Sequence, residues 1–174
     1  MSYTERLILQ RPVQKDLIRF YEINSDPNTN VFNPKGAMNQ ATAEKVFTEM
    51  ITHWNKNGFG TWAISEKENP TFIIGFGGLS HRLYGHEIKL NLGYRFDKNY
   101  WGKGYATELS QYAIAFGLEE LKKEAIFAIV RPKHLVSIKV LEKCKMKLFG
   151  ELDDVPGEDL SLVYRIQKWN TNVQ

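Results

Sequence analysis

Asn99-Tyr100-Trp101-Gly102-Lys103-Gly104-Tyr105-Ala106-Thr107 is the stretch that decides how this chain folds. Ahead of it, Ile88, Leu90, Leu92, Tyr94 and Phe96 alternate with Glu87, Lys89, Asn91, Gly93 and Arg95, which predicts a strand over 87–96. One face is apolar; the polar one is a candidate working surface. Behind it, Tyr105, Leu109, Tyr112, Ala113 and Phe116 form one stripe of a helix running from about Gly104 to Leu121. Lys122 and Lys123 sit at its negative end. A helix that starts here leaves its first backbone N–H groups unpaired, and Gly102 and Gly104 let an anion approach them without a Cβ in the way. Alone, two glycines serve a tight strand-to-helix turn equally well. The spacing is not a nucleotide-hydrolysis loop, because Asp97 stands where the first glycine of G-x-x-x-x-G-K belongs, and Thr107 breaks the dinucleotide pattern G-x-G-x-x-G.

Working outward, a strand is expected at Arg6–Arg11, a helix at Gln14–Asn24 and a long surface loop at Asn24–Asn39, rich in asparagine and proline. Ala43, Val46, Phe47, Met50, Ile51 and Trp54 recur at helical steps over Gln40–Asn57, with Gly58 as the stop. Strands follow at Thr61–Glu66 and Thr71–Arg82, with a turn at Glu68-Asn69-Pro70 and another around Tyr84-Gly85. Beyond the central helix come a strand at Ala125–Val130, a helix at Leu135–Cys144 and strands at Leu148–Leu152 and Leu160–Lys168. This order predicts one mixed sheet with antiparallel hairpins and one parallel crossover through Gly104–Leu121, an α/β or α+β fold. The 174 residues are read as one domain, 1–174.

Net charge is +3 with the charges interleaved, a poor fit to a dedicated nucleic-acid-binding protein, which concentrates basic residues on one face. No apolar run approaches the roughly 18 residues of a membrane span. Glu5 and Arg6 stand where a secretion signal needs apolar residues, so a soluble cytoplasmic protein without a membrane partner is expected. Cys144 is the only cysteine, which rules out an intrachain disulfide or a multi-cysteine metal site and leaves packing as its expected role.

Four segments resemble the GNAT superfamily of acyl-CoA-dependent N-acetyltransferases, specifically its RimJ/RimL-type branch, which acetylates ribosomal-protein N-termini. They are Thr4-Glu5-Arg6-Leu7-Ile8-Leu9-Gln10-Arg11-Pro12, Ile74-Gly75-Phe76-Gly77-Gly78-Leu79, the block from Leu92-Gly93-Tyr94 to Gly104-Tyr105-Ala106-Thr107-Glu108, and Ser137-Ile138-Lys139-Val140-Leu141-Glu142-Lys143. The resemblance implies a mostly antiparallel central sheet flanked by helices, with a splayed parallel strand pair at the acyl-CoA site. It implies acetyl-CoA as cosubstrate and no metal. Trp101, Gly102, Lys103, Gly104, Tyr105, Ala106 and Thr107 would surround the pyrophosphate, and Tyr94, Arg95 and Phe96 the pantetheine arm, in the manner of an added strand. Acetyl would pass directly to an amine, without an acyl-enzyme, so Cys144 is not needed as a nucleophile.

Direct transfer requires a neutral amine, a stabilised oxyanion and support for the departing thiolate. The resemblance assigns the oxyanion to a backbone N–H near Leu92–Tyr94 and the thiolate to Ser137, through the family's N-x-x-S written here as His134-Leu135-Val136-Ser137. His134 replaces the usual Asn and remains a cofactor contact by position. Asn91 stands where many relatives have Glu and, with Ser137, is a candidate catalytic residue. An amide takes no proton. Deprotonating a lysine-like amine of pKa about 10.4 at pH 7 costs about 4.6 kcal/mol, against about 1 kcal/mol for an α-amine near 7.8. A low-pKa acceptor is therefore favoured, or a displaced base such as His81, His86 or Glu87 acts through water. Lys145-Met146 replaces the glycine that relatives use to end this helix.

Tyr21, Trp54, Phe59 and Tyr100 read as core, whereas Phe32, inside the asparagine-rich loop, is the expected acceptor contact. The expected partner is an amine-bearing acceptor, a peptide N-terminus or a small molecule such as a polyamine or aminoglycoside. A homodimer is the default oligomer. The rival reading is an acyl-CoA-binding module without catalysis, in which the phosphate cradle persists after the chemistry is lost.

Overall fold

The apolar spacings resolve, in a computed structural model that describes residues 1–168, into a single sheet with helices on both faces. In chain order the elements are β1 (Ser2–Tyr3), β2 (Leu7–Gln10), α1 (Leu17–Ser25), α2 (Gln40–Asn57), β3 (Thr61–Glu66), β4 (Asn69–Tyr84) and β5 (Glu87–Phe96). Then follow α3 (Tyr105–Ala115), β6 (Ala125–Val130), α4 (Leu135–Lys143), β7 (Lys147–Leu152) and β8 (Ser161–Gln167). The strand order is β1-β2-β3-β4-β5-β6-β8-β7. Every neighbouring pair is antiparallel except β5 and β6, which α3 connects as a parallel crossover.

Two apolar layers hold the helices to the sheet. Leu7, Leu9, Trp62, Ile64, Leu79, Leu90, Leu92 and Phe96 pack with Leu109 and Ala113 of α3 and Leu141 of α4. On the other face, Ala63 and Phe76 meet Phe20 and Ile23 of α1 and Ala43 and Phe47 of α2. Truncating a buried phenylalanine such as Phe47 would cost about 3–5 kcal/mol, so both layers matter to stability. Among the described residues no helix is long and apolar enough to cross a membrane.

The parallel pair is what positions the site. β5 and β6 meet at a single register position, Asn91 opposite Phe127. Beyond it β5 continues to Phe96 against β4 alone, while β6 continues to Val130 against β8. The two strands part, and an edge opens inside the sheet.

Several local expectations change. Asn69 and Pro70 begin β4 instead of turning the chain, and the hairpin runs out to Tyr84 opposite Glu87, turned by Gly85 at φ +61°. This hairpin projects past the helices, so Ile88 is 72% exposed although it shares the alternation of its neighbours. The opposite face of β5 is not an open surface, because Asn91 is only 6% exposed. The central helix is α-helical to Ala115 and widens into a π-turn over Phe116–Glu120. The asparagine-rich loop folds on itself. Asn30 Nδ2 donates to the Asn24 and Asp26 carbonyls at 2.8 and 2.9 Å, and Asn33 Nδ2 donates to that of Gly36 at 2.6 Å. Side-chain amides supply the backbone partners that a ladder would otherwise provide.

The end of α4 is reached without glycine. Lys145 takes φ +64° while its N–H donates to Glu142 O at 2.9 Å and Met146 N–H donates to Leu141 O at 3.0 Å. A side chain in this left-handed region costs about 1 kcal/mol or more. Lys145→Gly is expected to raise the melting temperature by about 2–4 °C, as a gain of roughly 1 kcal/mol does for a chain of this size. An unchanged or lower midpoint in a thermal melt would show that the conformation carries no strain.

Candidate active site

Gly102 and Gly104 have φ of +76° and +83°, and Gly104 occupies the N-cap of α3 with no side chain to satisfy the first turn. The first backbone bond of the helix runs from Glu108 N–H to Gly104 O at 3.1 Å. The N–H groups from Gly102 to Thr107 therefore have no acceptor among the described residues, and a Cβ on Gly102 would meet nothing within 4 Å. Glycine is needed at 102 for the dihedral, and the space above it stays open. Unpaired donors, the positive end of the helix dipole and open space together suit a diphosphate.

The rest of this turn is tied inward. Glu108 accepts from Thr4 Oγ1 at 2.6 Å, from Arg6 N–H at 2.7 Å and from Arg6 Nε at 2.8 Å, while Arg6 Nη1 donates to Lys103 O at 2.8 Å. Burial opposes ionisation of Glu108, but the hydrogen bonds from Thr4 and Arg6 outweigh it and hold the carboxyl below its ordinary range. The Tyr105 hydroxyl donates to Glu66, so its ring faces β3 and only its backbone is offered at the turn. Trp101 Nε1 donates to Phe96 O at 2.9 Å. The Phe96 and Lys103 carbonyls are thus taken by side chains, and the amides of the turn are left free among the described residues.

The open edge of β5 supplies the second half of the site. Asp97 N–H donates to Ile74 O at 2.9 Å, which fixes the phase of the ladder. Arg95 then pairs its backbone with Phe76, whereas the N–H and C=O of Tyr94 and Phe96 turn toward the gap. The bridge to Phe127 takes up the Leu92 N–H, so Tyr94 N–H is the first open donor along the strand. The phase is anchored by Arg19 of α1, which pairs with the Asp97 carboxylate.

Across the gap, Tyr94 OH donates to Ser137 Oγ at 3.3 Å. Ser137 is the third residue of α4 and His134 is its N-cap, so the serine does not serve as the cap and keeps its own hydrogen to donate. Burial pushes the Tyr94 phenol up to about 12, so it keeps its proton at neutral pH. Cys144 lies buried behind them, its thiol donating to Thr107 O at 3.7 Å and pushed up by burial to about 11. It packs, and it is not a thiolate.

Asn91 Oδ1 accepts from Tyr84 OH at 2.7 Å, and burial raises the pKa of that phenol. The amide nitrogen is left facing Gly93, where an added Cβ would lie 3.4 Å from it. Position 91 thus offers a donor. His134 stacks on Phe32 at 4.4 Å with 18° between the rings, so these two separately chosen residues share one wall. Burial, with Arg95 nearby, holds the His134 imidazole below its ordinary value and neutral. A groove beside them is lined by Val31–Pro34, Arg131–Lys133, Glu158 and Asp159. The displaced bases do not converge here. His81 is engaged with His53 at 3.2 Å, and His86 and Glu87 lie exposed at the hairpin tip. The Arg6–Glu108–Thr4 tether and the Tyr84–Asn91 pair were missed in the sequence. No local pattern signals the first, which joins residues about a hundred positions apart.

A strand pair splayed beside an amide-lined helix start leaves two sets of main-chain donors open at one end of the sheet. The family described as acetyltransferase (GNAT) domain matches residues 6–147, and the chain belongs to this family of acyl-CoA-dependent N-acetyltransferases. It is 28% identical over 147 residues to YnaD, an uncharacterized N-acetyltransferase of Bacillus subtilis (strain 168), covering 84% of this chain and 82% of that one. A GNAT-family acetyltransferase from Bacillus anthracis shares the fold with a TM-score of 0.77 at 24% identity, covering 95% and 96% of the two chains. Spermidine N-acetyltransferase from Vibrio cholerae, solved with CoA and spermine, superposes with a TM-score of 0.73 at 17% identity, covering 92% and 95%.

Glu108 titrates in the direction that makes the tether acid-labile. Its folded value is depressed, so its stabilisation is complete above the ordinary carboxyl value of about 4.3 and is lost as pH falls through the lower folded value. Glu108→Ala is expected to remove this acid-side loss from the pH–stability curve and to weaken coenzyme A binding about tenfold in calorimetry, near 1.4 kcal/mol. Unchanged affinity would separate the tether from the cradle.

Proposed function

We propose that this acetyltransferase acts on an α-amine or another amine of low pKa, the class that includes peptide and protein N-termini, by direct transfer from acetyl-CoA. The observation that carries this reading is the Asn91 amide, with its oxygen held by Tyr84 at 2.7 Å, where a carboxylate base would be needed for a lysine-type amine. The RimJ/RimL-type resemblance of the Trp101–Glu108 segment points the same way. Acetyl-CoA, when bound, supplies the thioester. The N–H groups of Gly102 to Thr107 hold its diphosphate, and Phe96 N–H and Tyr94 C=O pair with the pantetheine amides. Tyr94 N–H donates to the thioester oxygen as charge develops there. The acceptor nitrogen attacks the carbonyl carbon, the C–S bond breaks, and Ser137, oriented by Tyr94, donates a hydrogen bond to the departing sulfur. The amine proton leaves to water.

A polyamine acceptor is the second reading, favoured by the spermidine enzyme among the structural neighbours. A polycation needs unpaired acids, yet Asp159 pairs with Lys133 at 3.0 Å and Asp154 with Arg82 at 3.1 Å.

Thiol release across a panel of amines and pH values tests the proposal. With no base at position 91, kcat/KM should climb with pH and level off at the acceptor's own pKa, about 8 for an α-amine. Lysine-type amines should be roughly three- to four-hundredfold poorer at pH 7. Asn91→Glu should narrow that gap, and Ser137→Ala should lower kcat by about tenfold to a hundredfold with little change in KM for acetyl-CoA. Equal rates on both amine classes would overturn the acceptor assignment, and no release with any amine would favour a binding module without catalysis.

A further inference from the structure

Arg95 is a largely buried cation whose described hydrogen-bond partner is the neutral Oδ1 of Asn30. A guanidinium offers five donors in a planar fork, and one such bond leaves most of them unused. Asn30 cannot rotate to offer more. Its Nδ2 is committed to the carbonyls of Asn24 and Asp26, which leaves only the amide oxygen toward the arginine. Neighbouring acids are already engaged, Asp26 with Lys98 at 3.3 Å and Asp97 with Arg19. Among the described residues Arg95 has no carboxylate within ion-pair distance. Removing a cation from water without an opposing charge is expensive, so a positively charged side chain kept here is well placed to receive an anion.

Its place on β5 says which anion. Arg95 follows Tyr94 but projects to the opposite face of the strand, the one shared with Gly93 and Asn91. Gly93 lies between them with no side chain, and a Cβ built there would have only the Asn91 amide nitrogen, at 3.4 Å, within 4 Å. The stacked Phe32 and His134 rings stand close by, and the neutral imidazole does not compete for a negative charge. The amides of Gly102 to Thr107, which suit the coenzyme's phosphates, belong to a separate segment.

We propose that Arg95 receives a carboxylate of the acceptor, so that the preferred substrate is a low-pKa amine that also carries a carboxylate: a dipeptide with a free C-terminus, or a peptide with an acidic residue beside its N-terminus. This rests on the amine-acetylation reading above and narrows it. The guanidinium fork matches a carboxylate in two parallel hydrogen bonds, a geometry that a lysine cannot reproduce in full. The same charge repels a polyamine.

Matched acceptors test it: a dipeptide against its C-terminal amide, and a dipeptide amide with Asp or Glu in second position against its Asn or Gln counterpart. Rates are corrected for each amine's neutral fraction. The wild-type enzyme should favour the carboxylate member of one pair by about tenfold in kcat/KM, and the pair that responds identifies the source of the carboxylate. Arg95→Met should bring that ratio to near one, and Arg95→Lys should keep part of it. If Arg95→Met fails to give a cooperative melt, the wild-type ratio and the Arg95→Lys ratio decide. No wild-type preference in either pair, or an unchanged ratio in Arg95→Met, overturns the proposal. So does a tenfold rise in KM for acetyl-CoA with the ratio preserved, which would give the arginine to the coenzyme. Turnover without a carboxylate preference removes only this inference, whereas no thiol release with any amine removes the acceptor reading with it.

Discussion

Everything the site offers follows from one strand losing its partner. β5 and β6 are bridged at Asn91 and Phe127, and past that point β5 is paired on one side only. In a closed sheet the N–H and C=O of Tyr94 and Phe96 would be satisfied by β6. Here they face a gap inside the protein; Trp101 takes the Phe96 carbonyl, and leaving the other three unpaired is costly unless a ligand or water completes the ladder. The crossover that makes the pair parallel also delivers the start of α3 to the mouth of that gap, so amides of the helix turn and amides of the strand edge open onto one space.

Holding such a site open takes supporting contacts that carry no chemistry themselves. Arg6 and Thr4 grip Glu108 and fix the first turn of α3, and Arg6 also ties down the Lys103 carbonyl. Arg19 fixes Asp97, which sets the phase of β5 and so decides which amides face outward. Trp101 takes the one carbonyl of Phe96 that would otherwise compete for a ligand donor. On the opposite face of β5, Tyr84 occupies the oxygen of Asn91, leaving its amide nitrogen as a donor, and Arg95 brings a positive charge answered, among the described residues, only by an amide.

Much of this was legible in the sequence, and the parts that were not share a cause. The alternation in β5, the stripe of α3 and the glycines at 102 and 104 are local signals, and they predict the crossover and the glycine turn that opens α3. The asparagine-rich segment read as loop because its order comes from side-chain amides such as Asn30 and Asn33, which have no periodicity. Lys145 occupies a glycine's conformation with a side chain that gives no hint of it. The polar face of β5 looked like free surface because alternation reports which side chains differ, not what covers them, and Tyr84 comes from the neighbouring strand. Residue spacing found His134 and Phe32 separately but could not bring them into contact.

Amide hydrogen exchange with and without acetyl-CoA tests the central claim most directly, because the donors in question are main-chain groups that no side-chain substitution removes. Exchange should slow at Gly102 to Thr107 and at Tyr94 and Phe96 when the coenzyme is present, with the β2–β3 ladder unchanged. Unaltered exchange at those amides under saturating coenzyme, or protection centred elsewhere on the sheet, would contradict the account.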